Sequence, residues 1–176
     1  GIYVLTVTSA NQCSKSVSTI VEVNPLPQIV LSSNSPVCES STLSLNASGG
    51  SQYAWYGPNG FSSNSISPQL FNATSNFSGD YFVTVTTAAG CSATASTNAK
   101  VFTYPVPALS TNAPLCSGNT LLLNAAGGDA YQWTGPNGFT TTNQNNSIAD
   151  VSVTSGGIYS AVITNSNLCS VTATVA

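Results

Sequence analysis

Five cysteines are the side chains of this 176-residue chain best suited to covalent chemistry, and their spacing is regular. Cys13, Cys91 and Cys169 recur every 78 residues (91 − 13 and 169 − 91), and Cys38 and Cys116 repeat the interval. No two fall within the Cys-x2–4-Cys spacing of a zinc site, and the chain has no histidine to complete one. Without histidine there is no Ser–His or Cys–His nucleophile either. The five acids, Glu22, Glu39, Asp80, Asp129 and Asp150, stand singly at non-equivalent places in the period. Neither a calcium cage nor a carboxylate pair for glycoside hydrolysis follows from them. The expectation is therefore no catalytic residue, no metal and no cofactor. Disulfide bonding remains, and it belongs to an oxidising, extracellular setting. Each cysteine sits in a turn-like context, such as Pro36-Val37-Cys38-Glu39-Ser40 or Ala89-Gly90-Cys91-Ser92, which favours paired sulfurs over buried free thiols.

Composition narrows the partners. Charged residues make up 4% of the chain, with only Lys15 and Lys100 basic and a net charge of −3. Two lysines cannot neutralise a run of phosphates, so no nucleic acid is expected. Hydrophobic residues reach 41%, too many for a disordered chain. The longest apolar stretches, such as 120–126, are far short of the roughly 20 residues that span a bilayer, so no membrane insertion is expected. Polarity comes from 28 Ser, 21 Thr and 18 Asn. Sequons at Asn46, Asn72, Asn76 and Asn145 fit the glycosylation pattern, a short signal in an Asn- and Ser-rich chain, and attached glycans are one expected surface feature.

The elements that must hold the cysteines share their period. Trp55 and Trp133 are 78 apart, and Gly57-Pro58-Asn59-Gly60-Phe61 returns unchanged as Gly135-Pro136-Asn137-Gly138-Phe139. Such self-similarity marks a repeat architecture. Pro-rich junctions at 24–27 and 104–107 stop a strand and stiffen the link. They divide the chain into 1–28, the back end of one repeat; 29–106, a complete repeat; and 107–176, a second and nearly complete one. Short stiff joints predict a rod.

Inside a repeat the period is two. Tyr81, Val83 and Val85 alternate with Phe82, Thr84 and Thr86, while Leu43 and Leu45, then Leu121 and Leu123, mark a second strand type. With Trp55, Trp133, Tyr159 and Tyr3 these residues form the predicted core. Tyr53, Trp55, Tyr131 and Trp133 could instead make a sugar platform, but their alternation assigns them to the core. Thr rows such as Thr6 and Thr8, or Thr84 and Thr86, read as a solvated strand face. About seven short strands per repeat, with turns every 8–12 residues, indicate a β-sandwich.

Ser78-Gly79-Asp80-Tyr81-Phe82-Val83 resembles the tyrosine corner of immunoglobulin domains, and Trp55 and Trp133 sit where strand C carries its core tryptophan. More closely, Ser35–Gly50, Trp55–Phe61 and Gly79–Cys91 resemble motifs of tandem immunoglobulin-like repeats in large secreted surface proteins of gliding bacteria and their relatives. The resemblance covers nearly the whole chain. It implies an all-β fold, tandem immunoglobulin-like β-sandwiches in a rod-like array, and a stalk or filament segment of a cell-surface adhesin. Partners would be neighbouring repeats and other copies in a fibre or bundle. A carbohydrate-binding module, and a filament subunit polymerised by strand complementation, are the competing readings.

Two cysteine pairings suit that frame. Bonds within repeats would be Cys38–Cys91 and Cys116–Cys169, each closing about 50 residues. Sandwich topology puts Cys38 in the A–B turn and Cys91 in the F–G hairpin at the opposite end, a strand length of over 20 Å apart. A disulfide needs Cα atoms within about 7 Å. Topology therefore favours a junction-crossing bond, Cys38–Cys169, with the partners of Cys13, Cys91 and Cys116 outside this segment. Residues 1–28 pose a further question, because an isolated hairpin cannot bury Tyr3, Leu5 and Val7. Either upstream chain or another copy would complete that half-domain.

Overall fold

Two-residue alternation becomes eighteen short strands in the computed structural model, which describes residues 1–176. The chain opens with a hairpin, β1 (Ile2–Thr8) and β2 (Ser14–Ile20), paired only to itself. The first sandwich follows: β3 (Val30–Ser33), β4 (Val37–Cys38), β5 (Leu43–Ser48), β6 (Gln52–Tyr56), β7 (Ser62–Ser63), β8 (Gln69–Leu70), β9 (Gly79–Thr86), β10 (Ser92–Ala99) and β11 (Val101–Phe102). The second comprises β12 (Ala108–Thr111), β13 (Leu121–Ala126), β14 (Ala130–Thr134), β15 (Thr140–Thr141), β16 (Asn145–Ile148), β17 (Tyr159–Thr164) and β18 (Ser170–Val175). There is no α-helix, only four single 3-10 turns.

Strand order repeats between the sandwiches. One sheet runs β3-β5-β8 and the other β10-β9-β6-β7; their counterparts are β12-β13-β16 and β15-β14-β17-β18. All these pairings are antiparallel, which lets one face meet the core and the other meet water. This is the A-B-E and C-F-G arrangement of an immunoglobulin-like sandwich, with a short extra strand beside C.

Each sandwich has its own core. Leu43, Leu45, Ala47, Trp55, Tyr81, Val83, Val85, Ala99 and Val101 bury one, and Leu121, Leu123, Trp133, Tyr159, Ala161 and Ile163 the other. Both tryptophans keep their indole N–H satisfied: Trp55 Nε1 donates to Ser65 O at 3.0 Å and Trp133 Nε1 to Gln144 O at 3.4 Å. The repeated Gly-Pro-Asn-Gly-Phe turn has a packing reason. A Cβ on Gly57 would stand 2.5 Å from Tyr81 Cδ1, and one on Gly135 would meet the Tyr159 ring in the same way. Phe61 and Phe139 then close edge-on against those rings, with centroids 5.4 and 5.6 Å apart.

One predicted core residue lies outside any core. Tyr3 is 63% exposed, and Leu5 and Val7 on the same face are as open. The face alternates correctly, but no second sheet packs over β1 and β2, so it has nothing to be buried against.

A covalent junction as the candidate functional site

The strands bring two of the five cysteines together across the joint between sandwiches. Cys38 is carried by β4, which runs parallel to β11 with Cys38 opposite Phe102. Val37 N donates to Lys100 O at 3.1 Å and Glu39 N to Phe102 O at 2.8 Å, which pins the turn to the strand leading into the linker. Cys169 comes from the β17–β18 hairpin of the second sandwich. There Asn165 N donates to Cys169 O, Leu168 N donates to Asn165 O, both at 3.0 Å, and Leu168 takes a φ of 64°.

Asn165 organises the hairpin and ties it to the linker. Its Oδ1 accepts from Asn167 N and Cys169 N, both at 3.1 Å, and its Nδ2 donates to Thr103 O at 3.0 Å. The result is a Cys38–Cys169 disulfide with a Cα separation of 5.7 Å, joining residues 131 apart in sequence. Cys169 is buried at the joint, its Sγ 4.0 Å from Phe102 O.

Cys13, Cys91 and Cys116 are free, so the within-repeat pairs Cys38–Cys91 and Cys116–Cys169 are not formed. The reason is topological. The β4 turn and the β9–β10 hairpin lie at opposite ends of one sandwich, and the eight-residue strands β9 and β10, each over ~20 Å long, keep them apart. Cys91 nevertheless occupies the same setting one repeat earlier. Its Sγ lies 3.7 Å from Asn24 O, and Asn24 precedes Phe102 by one 78-residue period. In that earlier junction Thr87 replaces Asn165, and its Oγ1 is buried without a hydrogen-bond partner.

The other candidates separate. Glu39 Oε1 accepts from Ser75 N at 3.1 Å and Asp80 Oδ1 from Asn98 Nδ2 at 2.8 Å, so these acids are engaged locally and singly. Trp55, Tyr131 and Trp133 are buried, leaving no sugar platform among them. The Thr rows pair across strands, as between Thr84 and Thr94 at 3.0 Å and Thr6 and Ser16 at 2.7 Å. Each sandwich also has a tyrosine corner: Tyr81 Oη donates to Phe77 O at 2.7 Å and Tyr159 Oη to Ser155 O at 2.9 Å. Burial pushes both hydroxyls above their ordinary value of 10.0, because the phenolate would lose its hydration.

Sequence reasoning did not single out Asn165 or the stacked, partly exposed pair Tyr56 and Phe82, 5.0 Å apart. The signal for Asn165 was an Asx-turn residue four before a cysteine, in a hairpin whose counterpart has threonine. Tyr56 and Phe82 face each other in register on β6 and β9, where Thr134 and Ser160 stand in the second sandwich.

No protein-family model matches the chain, and no curated protein matches it. Similar solved structures include a chain of the mouse coronavirus receptor-binding domain complexed with its murine receptor, at 15% identity and TM-score 0.49, covering 84% of this chain and 98% of that one. The amphioxus IgVJ-C2 molecule aligns at 16% identity and TM-score 0.38, over 78% of this chain and 96% of its own. The three N-terminal domains of the bacteriophage RB49 highly immunogenic outer capsid protein align at 16% and 0.43, over 85% and 57%. Likenesses at these scores carry neither a family nor an activity. The immunoglobulin-like, all-β assignment rests on the strand order of the two sandwiches.

Proposed function

We propose that this chain is a load-bearing stalk segment of a large extracellular bacterial surface adhesin or filament, a rod of tandem immunoglobulin-like repeats without enzymatic activity. The observation that carries the reading is the disulfide that crosses the junction. Tension applied at the two ends runs along the backbone to Cys38, crosses the sulfur–sulfur bond to Cys169, and leaves through the last strand. The 131-residue separation between those cysteines is thereby taken out of the load path. At about 3.3–3.6 Å per extended residue, about 430–470 Å of extension is locked away. Pro105 and Pro107 stiffen the same joint and Asn165 clamps the hairpin to it. A surface of hydroxyls and amides with a net charge of −3 offers little repulsion to neighbouring rods. An extracellular location agrees with the disulfide and with the lack of any helix long and apolar enough to cross a membrane.

Single-molecule stretching between the termini tests this reading. The oxidised chain should show only the short extensions of strands outside the bond, such as β3 and β18, and reducing agent should release two full sandwich-length steps. A full sandwich-length step in the oxidised chain would contradict it, and saturable binding on a glycan array would replace the stalk with a binding module.

A further inference from the structure

The chain contains two Asn-Gly steps, Asn59-Gly60 and Asn137-Gly138, set in identical Gly-Pro-Asn-Gly-Phe pentapeptides. An asparagine before glycine is open to attack by the next backbone nitrogen, because glycine puts no Cβ in the way. The two turns match in backbone. Asn59 has φ 55° and ψ 31°, Asn137 has φ 56° and ψ 26°, and each turn is closed by a bond of 3.1 Å from the phenylalanine N to the proline O. Both asparagines are exposed, and Gly60 and Gly138 border open space. One contact separates them. Asn137 Nδ2 donates to Thr154 O at 3.1 Å. The equivalent carbonyl one period earlier is that of Asn76, and the Asn59 amide makes no hydrogen bond to it or to any other group. Asn59 lies in the first sandwich, where β3 to β11 are all in place around it.

We propose that Asn59 is a self-modification site, losing its side-chain amide through a cyclic imide with Gly60, while Thr154 protects Asn137 from the same reaction. Hydroxide takes the Gly60 N–H proton, and that nitrogen attacks Asn59 Cγ. The new N–Cγ bond forms as the Cγ–Nδ2 bond breaks, and Nδ2 takes a proton from water and leaves as ammonia. Water then opens the succinimide at either carbonyl, giving aspartate or isoaspartate. At ψ 31° the Gly60 nitrogen is turned away from Cγ, so the turn must open about that bond before the ring can close. Asn59 opens against the turn alone. Asn137 must also give up its bond to Thr154 O, which lowers the population able to react.

The product is a slow, one-way change confined to the first sandwich. Either outcome adds one negative charge to a chain whose net charge is −3. Isoaspartate also carries the backbone through Cβ and lengthens the turn by one methylene. The turn has no slack for it, since a Cβ on Gly57 would stand 2.5 Å from Tyr81 Cδ1 and Phe61 packs edge-on against the same ring at 5.4 Å. The lengthened turn therefore loosens Phe61 from Tyr81.

Peptide mapping of the full chain, aged at mildly alkaline pH, tests the site, with an isoaspartyl methyltransferase used to count isoaspartate. In the folded chain Asn59 should convert between about twofold and tenfold faster than Asn137, the factor that one hydrogen bond supplies. In denaturant the two rates should become equal, because the pentapeptides are identical. Asn59→Gln should remove the modification from the first turn and leave the rate at Asn137 unchanged. Equal rates in the folded chain, faster loss at Asn137, or an Asn59 that stays intact while the denatured chain converts would each overturn the inference. None of these results touches the stalk reading, which depends on Cys38–Cys169 and is judged by stretching.

Discussion

The two junctions of this chain are built on one plan, and within residues 1–176 only one of them carries both of its cysteines. Between the sandwiches, Cys38 and Cys169 are bonded, and the Asn165 amide reaches Thr103 O. Between the opening hairpin and the first sandwich, Cys91 rests against Asn24 O with no bond, and the Thr87 hydroxyl is buried without a partner. The hairpin side of the joint is formed in both cases. The β4-type turn that supplies the second sulfur at the closed junction has no counterpart within residues 1–28. A junction of this kind therefore needs a turn from one sandwich and a hairpin from the next, and neither unit makes it alone.

That contrast can be broken most severely at the bond. Cys38→Ser should cost the second sandwich its coupling to the first; the chain-entropy model assigns about 5 kcal/mol to a closed loop of this length. Cys91→Ser, at the open junction, should change the denaturation midpoint by under about 0.5 kcal/mol. Next in size is Trp133→Ala, expected to cost about 3–5 kcal/mol by emptying a fully buried site. With the bond intact, one merged denaturation transition should shift; with it reduced, only the second sandwich should. Fluorescence of Trp55 reports the first sandwich in that variant.

Smaller effects sharpen the comparison. Asn165→Thr makes the closed junction resemble the open one and should cost about 1–2 kcal/mol, read as a lower denaturant midpoint. The reverse change, Thr87→Asn, should stabilise the open junction by about 0.5–1 kcal/mol, since it can satisfy the linker as Asn165 does. Tyr81→Phe and Tyr159→Phe should each cost about 1 kcal/mol near neutral pH. They also set an alkaline limit. Folding raises both hydroxyl pKa values above 10.0, so the stability they contribute is complete below that pH and is lost as pH rises through the higher folded values. Thermal scans above pH 10 should fall less steeply for each phenylalanine variant than for the parent chain.

Much of this was legible because the chain repeats itself. Alternation at Tyr81, Val83 and Val85, and at Leu121 and Leu123, specifies strands with one buried face, and turn glycines mark where they reverse. Strand order then follows from two sheets that must share a core. Tyr3 shows the limit: periodicity says which face is apolar, whereas burial depends on whether a second sheet is present to cover it. Asn165 was hidden for a different reason. Its role depends on a three-dimensional neighbour, the Thr103 carbonyl, 62 residues away in sequence.

The most direct test of the covalent junction is peptide mapping of the oxidised chain under non-reducing conditions, with free thiols alkylated beforehand. The structure predicts one linked pair, a peptide containing Cys38 joined to one containing Cys169. In dilute chain without added oxidant, Cys13, Cys91 and Cys116 should be recovered alkylated. A peptide joining Cys38 to Cys91, or Cys116 to Cys169, would contradict the account, because the bond would then close each sandwich on itself and leave the junction untied.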